Sequence, residues 1–188
     1  AWRYWHWDPS NDRDFTGLEV LSLSQAPSKH KQWSQEIRYS GDISSRLSVV
    51  AGVFGILQDL VTDPYHTEES GADQWRFSQT STSSKWATPG LLDGYGIKTV
   101  SSLESISGAV FSQFDYAITD RLHVLAGLRY NYDEKKVDFD RTTYGGLETT
   151  DPELIAIKKS VYTDQAFNTR TDDNKLSGNL TLQYKASK

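Results

Sequence analysis

The sequence has no cysteine, no hydrophobic run long enough for a membrane helix and no cluster of basic residues, and each gap removes a class of protein. Without cysteine there are no disulfides, no thiolate metal sites and no cysteine nucleophile, which suits an envelope protein that folds without a redox requirement. A membrane-crossing helix needs about 18 or more consecutive apolar residues. With 37% hydrophobic residues, 24% charged and a mean hydropathy of −0.59, the chain offers none, so a helical membrane protein is excluded. A β-barrel wall is not, because its strands show lipid only every second side chain. The net charge is −5 and the lysines and arginines are scattered, so nucleic acid is not expected as a partner. The opening Ala1-Trp2-Arg3-Tyr4-Trp5-His6-Trp7 has neither an initiating Met nor the apolar core of a signal peptide, and the native N-terminus is expected to lie upstream.

What is present is alternation. From Leu122 to Asp133, Leu122, Val124, Ala126, Leu128, Tyr130 and Tyr132 share one face. His123, Gly127, Arg129, Asn131 and Asp133 share the other, with Leu125 the misfit. Leu176, Gly178, Leu180, Leu182 and Tyr184 repeat the design against Ser177, Asn179, Thr181, Gln183 and Lys185. A third stretch sets Ile106, Gly108, Val110, Phe114, Tyr116 and Ile118 against Ser105, Ser107, Gln113 and Asp115, with Phe111 and Ser112 on the wrong sides. Strands are expected near 1–7, 32–40, 47–59, 102–118, 122–140 and 174–185.

The connections sort into two kinds. Gly41 to Arg46 and Thr119 to Arg121 are short and carry turn chemistry, whereas those near 8–31, 60–100 and 141–173 are long, and short strictly alternates with long. A barrel inserted from one side has this arrangement, with short periplasmic turns and long extracellular loops. All five prolines, Pro9, Pro27, Pro64, Pro89 and Pro152, are expected in the long connections, since strands in lipid must donate every backbone N–H. The last loop predicts a helix capped by Asp151, with Pro152 at its first position and Leu154, Ile157 and Val161 on one side, ending near Phe167.

The run Gly108-Ala109-Val110-Phe111-Ser112-Gln113-Phe114-Asp115-Tyr116-Ala117-Ile118-Thr119-Asp120-Arg121-Leu122, continued by Ala126 to Asp133, resembles a barrel hairpin of TonB-dependent outer-membrane receptors. Gln35-Glu36-Ile37-Arg38-Tyr39-Ser40-Gly41 and Leu176 to Lys185 resemble strands of the same family. The likeness covers residues 32–58 and 105–188 and leaves the loops aside. It implies an all-β fold: one domain of antiparallel transmembrane β-barrel, with five to six strands of a larger barrel of about 22. It also implies a place in the bacterial outer membrane, and partners in lipid, the remaining strands, a plug and TonB, the last two through segments without a match here. The intact protein would import a scarce bulky ligand such as a siderophore or other metal chelate, vitamin B12 or a glycan. A soluble all-β carbohydrate-binding module and a small closed outer-membrane barrel are the alternatives.

Site chemistry is sparse. No Gly-x-Ser-x-Gly elbow or phosphate loop occurs, so no catalysis and no cofactor are expected. Trp75, Arg76, Phe77 and Trp86 make an aromatic and cationic group in the longest loop, suited to stacking on a ligand or simply to packing the loop. Glu36, Arg38 and Arg129 are expected to face the lumen, to pair with a plug, guide an anionic ligand or bind neighbouring strands. His66, Glu68 and Glu69 have metal-ligating groups but no further ligand nearby, and no metal site is expected.

Overall fold

The computed structural model describes residues 1–11, 13, 15, 17–72 and 83–186. The strands are β1 (Trp2–Trp7), β2 (Leu21–Gln25), β3 (Ser28–Ser44), β4 (Leu47–Glu69), β5 (Gly96–Ala117), β6 (Leu122–Tyr144) and β7 (Gln165–Tyr184). They form one antiparallel sheet in the order β1, β3, β4, β5, β6, β7. Pairing of β3 with β4 ends at Ser28 opposite Thr62, and β2 takes up the same edge of β4 from Gln25 opposite His66. Among the described residues no pairing joins β1 to β7, so the sheet is open.

The long strands run for 17 to 23 residues, about twice the roughly 9–11 that cross a bilayer. The sequence pattern places their outer ends near 32, 59, 102, 140 and 174. Instead β3 begins at Ser28, β4 runs on to Glu69, β5 starts at Gly96, β6 reaches Tyr144 and β7 starts at Gln165. Pairing outlasts the alternation because backbone hydrogen bonds do not depend on which face the apolar side chains take. The expected loop at 60–100 shrinks accordingly, and that at 8–31 gives way to β2 and the start of β3. Pro64 lies inside β4, not in a loop. It sits where the register of β4 and β5 slips between Thr62 and Tyr65, a bulge that asks for no N–H at that point.

The short hairpins turn through Ser45-Arg46 and through 118–121. At the other end, Ser84–Ala87 forms a single 3-10 turn and Pro152–Val161 forms helix α1. Asp151 caps α1, its carboxylate accepting from Glu153 N at 2.9 Å, with Pro152 in the first turn. The helix ends at Val161 rather than near Phe167. Residues from Gln165 pair with β6, and Phe167 stands opposite Phe139, so the sheet takes those residues from the helix. A small core of Leu91, Leu92, Tyr95, Leu154 and Ile157 holds α1 against the segment before β5. β6 leaves the sheet through Gly145 and Gly146, at φ of 69° and 65°, where the chain passes against the Gly94 carbonyl too closely for a Cβ.

Candidate functional site

Register sorts the side chains into two faces. On the first, Ile37, Val53, Val110, Tyr130 and Leu176 lie directly opposite one another across five strands. They are 66%, 47%, 58%, 46% and 64% exposed, so the sheet carries an uncovered apolar stripe across its width. The stripe belongs to a belt that runs along β4 from Leu47 to Leu57, joined by Trp33, Phe114, Leu128, Leu180 and Leu182 from the neighbouring strands. Immediately past Leu57 the same face turns charged, in the row Lys31, Asp59, Glu104, Lys136, Arg170.

The second face does the reverse. Level with the belt it carries Arg38, Gly52, Phe111, Arg129 and Ser177 in one row and Glu36, Phe54, Ala109, Asn131 and Lys175 in the next. Glu36, Arg38 and Arg129 thus share a face. They are not brought together, because Arg38 and Arg129 stand three strands apart, about 14 Å. Arg129 instead donates from Nε to Asn131 Oδ1 at 2.7 Å and lies 5.8 Å from the centre of the Phe111 ring. Phe111 breaks the alternation because its ring covers Gly52, where an added Cβ would fall 2.6 Å from Phe111 Cζ.

Beyond the belt the second face becomes apolar and aromatic. Trp5, His30, Leu60, Leu103 and Val137 form one row, and Trp7, Ser28, Thr62, Ser101, Phe139 and Phe167 form the next. The Phe139 and Phe167 rings stack with centroids 4.9 Å apart, and the Arg141 guanidinium lies 5.2 Å from the Phe139 ring. His30 Nδ1, Thr67 Oγ1, Thr99 Oγ1 and Arg141 Nε on this face are buried without a hydrogen-bond partner among the described residues. Sequence reading missed this band. Its signal was the alternation of Val137, Phe139 and Arg141 with Asp138 and Asp140, in opposite phase to Leu128 and Tyr130.

The outer end holds a polar knot. His66 and Glu68 lie on the first face, whereas Glu69, one residue on, points to the second and meets the Tyr162 hydroxyl, so the three do not converge on a metal. Among the described residues no group of three metal-ligating side chains does so. Tyr144, unnoticed in the sequence, links the first two: its hydroxyl donates to Glu68 Oε2 at 2.9 Å and, having spent its proton, accepts from His66 Nε2. Ser22 donates to Glu68 Oε1 at 2.9 Å. Burial, then Lys98, lowers the His66 pKa against the opposing pull of Glu68; burial and Glu68 raise that of Tyr144.

Of the expected aromatic loop group, Trp75, Arg76 and Phe77 lie outside the described residues. Trp86 is partly buried against Leu91, Leu92, Tyr95, Leu154 and Ile157 and serves as packing for that core. Beside it, Lys85 Nζ bridges Asp151 at 2.6 Å and Glu153 at 3.0 Å, tying the 3-10 turn to the start of α1. Lys158 donates to the Gly145 and Leu147 carbonyls at 2.8 and 3.0 Å, and burial lowers its pKa.

No protein-family model matches the sequence, and no curated protein does. Among solved structures the chain is similar to the ferric yersiniabactin uptake receptor FyuA from Yersinia pestis, with 14% sequence identity and a TM-score of 0.61. The match covers 99% of this chain and 22% of the receptor, so the chain spans about a fifth of that protein's length. The likeness establishes the fold: a segment of antiparallel β-barrel wall, in which no helix among the described residues is long and apolar enough to cross a membrane.

Proposed function

We propose that the chain forms wall strands and outer loops of an outer-membrane receptor of the TonB-dependent kind, which imports a scarce bulky ligand such as a metal chelate. The observation that carries this reading is the change of solvent along single strands. Level with Leu47 to Leu57 of β4, Ile37, Val53, Leu57, Val110, Leu128, Leu176 and Leu180 stand exposed on the first face, as hydrocarbon would demand, while Val49 is buried among its neighbours. Beyond Leu57 that face is charged and the second face takes the leucines and aromatics. A soluble module would have to cover the first-face belt with protein, and among the described residues Ile37, Val53, Val110, Leu176 and Leu180 of that belt are left exposed.

In this reading the second face lines an interior, the open edges of β1 and β7 are paired by further strands, and a plug and an energy-transducing partner act from outside this segment. The chain catalyses nothing. Ligand contact falls to the inward band above the membrane, where Phe139, Phe167 and Arg141 present stacked rings and a cation beside unpartnered hydroxyls. The likeness to a ferric siderophore receptor favours an iron chelate over a vitamin or a glycan.

Uptake decides the matter. Cells bearing the intact protein are given radiolabelled ferric chelates, cobalamin and oligosaccharides, with and without the energy-transducing partner. The expected result is accumulation of one ligand class that is lost without the partner. Equal accumulation in cells lacking the protein refutes the reading.

A further inference from the structure

We propose that the inward band beyond the apolar belt holds an oxyanion seat formed by Arg141, Thr99 and Thr67, so that the cargo is a chelate carrying one carboxylate outside its metal-binding groups. The inference rests on the receptor reading above and narrows its ligand class.

Register brings the three together. Thr99 on β5 stands directly opposite Arg141 on β6, and Thr67 on β4 stands opposite Ile97, one diagonal step from Thr99. Directly opposed residues have Cα atoms about 4.5–5.5 Å apart and diagonal ones about 7–8 Å, so all three side chains reach one spot on the second face. Thr67 and Thr99 are only 4% and 5% exposed, yet Thr67 Oγ1, Thr99 Oγ1 and Arg141 Nε have no hydrogen-bond partner among the described residues. Buried polar atoms without partners are costly and rare, and three side by side mark a place that another group completes. An arginine Nε–H can only donate, and a threonine hydroxyl donates by rotating, so the completing group is an acceptor.

Charge decides which acceptor. Arg141 makes no ion pair within 4.0 Å among the described residues. The acids at this end of the sheet are engaged elsewhere: Glu69 accepts from the Tyr162 hydroxyl, and Asp164 accepts from Thr143 N and Oγ1 at 2.6 and 2.7 Å. One guanidinium without a counter-charge calls for a monoanion, and two nearly covered hydroxyls call for a flat, narrow one. A carboxylate meets both needs, since its two oxygens accept from an arginine edge and from neighbouring hydroxyls at once. The oxygens of a catecholate or hydroxamate are held at the metal, too far inside a chelate to reach Thr99. Beside the seat the Phe139 and Phe167 rings stack at 4.9 Å, and Phe167 is 42% exposed, an apolar surface on which the body of the chelate rests.

The test is calorimetric titration of matched ferric chelates into the intact protein folded in lipid vesicles. The cores are a trihydroxamate, a tricatecholate and a tris-hydroxypyridinone, each carrying one pendant benzoate or, in its twin, the benzamide. Whichever core binds, the benzoate form should bind about tenfold more tightly than its twin, which corresponds to about 1.4 kcal/mol. Thr99→Val and Arg141→Gln should each bring the two forms to equal affinity. Thr99→Val exchanges an unpartnered hydroxyl for a methyl of the same shape, so the guanidinium midpoint of the ligand-free protein should stay unchanged or rise. Equal affinity of the twins in the unaltered protein, a benzoate preference that survives both substitutions, or a lowered midpoint in Thr99→Val overturns the seat. Binding of no core in either form fails the receptor reading and the seat with it, whereas binding without a benzoate preference fails the seat alone.

Discussion

Placing an arginine at Val110 asks directly whether the first face meets lipid or water. The apolar belt along β4 runs from Leu47 to Leu57, ten steps, which is about 34 Å of strand and, at a tilt of about 45°, about 24 Å of depth. That matches the band of about 25 Å on the outside of outer-membrane barrels. Val53 is six steps from one end of the belt and four from the other, and Val110 is its register partner, so on the proposed membrane reading Val110 would sit near the midplane. A basic residue at that depth on a lipid-facing strand costs about 2–4 kcal/mol, a factor of roughly 30 to 800 in the folded-to-unfolded ratio. The same change on a water-exposed strand position, which a side chain 58% accessible would otherwise imply, stays within about 0.5 kcal/mol. Gln113→Arg, on the same strand but the opposite face, is the control. Guanidinium titration of the intact protein folded into lipid vesicles measures both. A Val110→Arg cost no larger than that of Gln113→Arg would refute the assignment of the first face to hydrocarbon.

Two glycines of β4 should behave oppositely although they are three residues apart. Gly52→Val drives a Cβ to 2.7 Å from the Ile37 carbonyl and under the Phe111 ring, so it should cost about 1–3 kcal/mol in the same titration; Gly55→Val meets open space and should be neutral or mildly stabilising. The knot at the outer end should narrow the pH range of stability. His66 is held below its ordinary 6.5, so as pH falls through about 6.5 the unfolded chain takes up a proton that the fold refuses, and stability drops. Tyr144 is held above its ordinary 10.0, so above about pH 10 the unfolded chain sheds a proton that the fold keeps, and stability drops again. Unfolding curves at stepped pH should lose the acid limb in His66→Gln and the alkaline limb in Tyr144→Phe. Asp151→Ala removes both the α1 cap and a partner of Lys85, and should speed amide exchange in α1 while leaving that of β5 and β6 unchanged.

What the sequence conveyed depended on whether one solvent ruled a whole stretch. Leu122 to Asp133 and Leu176 to Lys185 were readable because within the belt every first-face side chain answers to the same surroundings. The α1 start was readable too, since a cap and a first-turn proline act locally. The outer halves were not. There Leu60, Leu103 and Val137 move to the opposite face while Val61 and Val100 stay behind, so no single phase survives and the strands look like loops. Pro64 misled because a bulge forgives a missing N–H, and Phe111 because Gly52, its neighbour across the strand, makes room for its ring. The end of α1 depended on β6 recruiting Gln165 to Phe167, a contact with no local trace.

The doubled strand length changes where ligand selectivity should be sought. From Gln58 to Glu69, β4 continues for eleven steps beyond the belt, about 37 Å of strand and about 26 Å of height at the same tilt. On the proposed membrane reading, the sheet would lift α1 and the core around Leu91 and Leu92 well above the bilayer. Trp86 is consumed in holding that core together. Residues on paired strands keep their positions more closely than residues on loop tips, so under the proposed receptor function the strands would be the stiffer place for ligand contacts. Phe139 and Arg141 on β6, backed by Phe167 on β7, stand on such strands and carry the stacked rings and the cation. In the uptake assay Phe139→Ala and Arg141→Ala should lower apparent ligand affinity more than Trp86→Ala does, Trp86→Ala acting mainly by loosening the loop core. The reverse order, with Trp86 dominant, would return selectivity to the loops and remove the inward band from the binding surface.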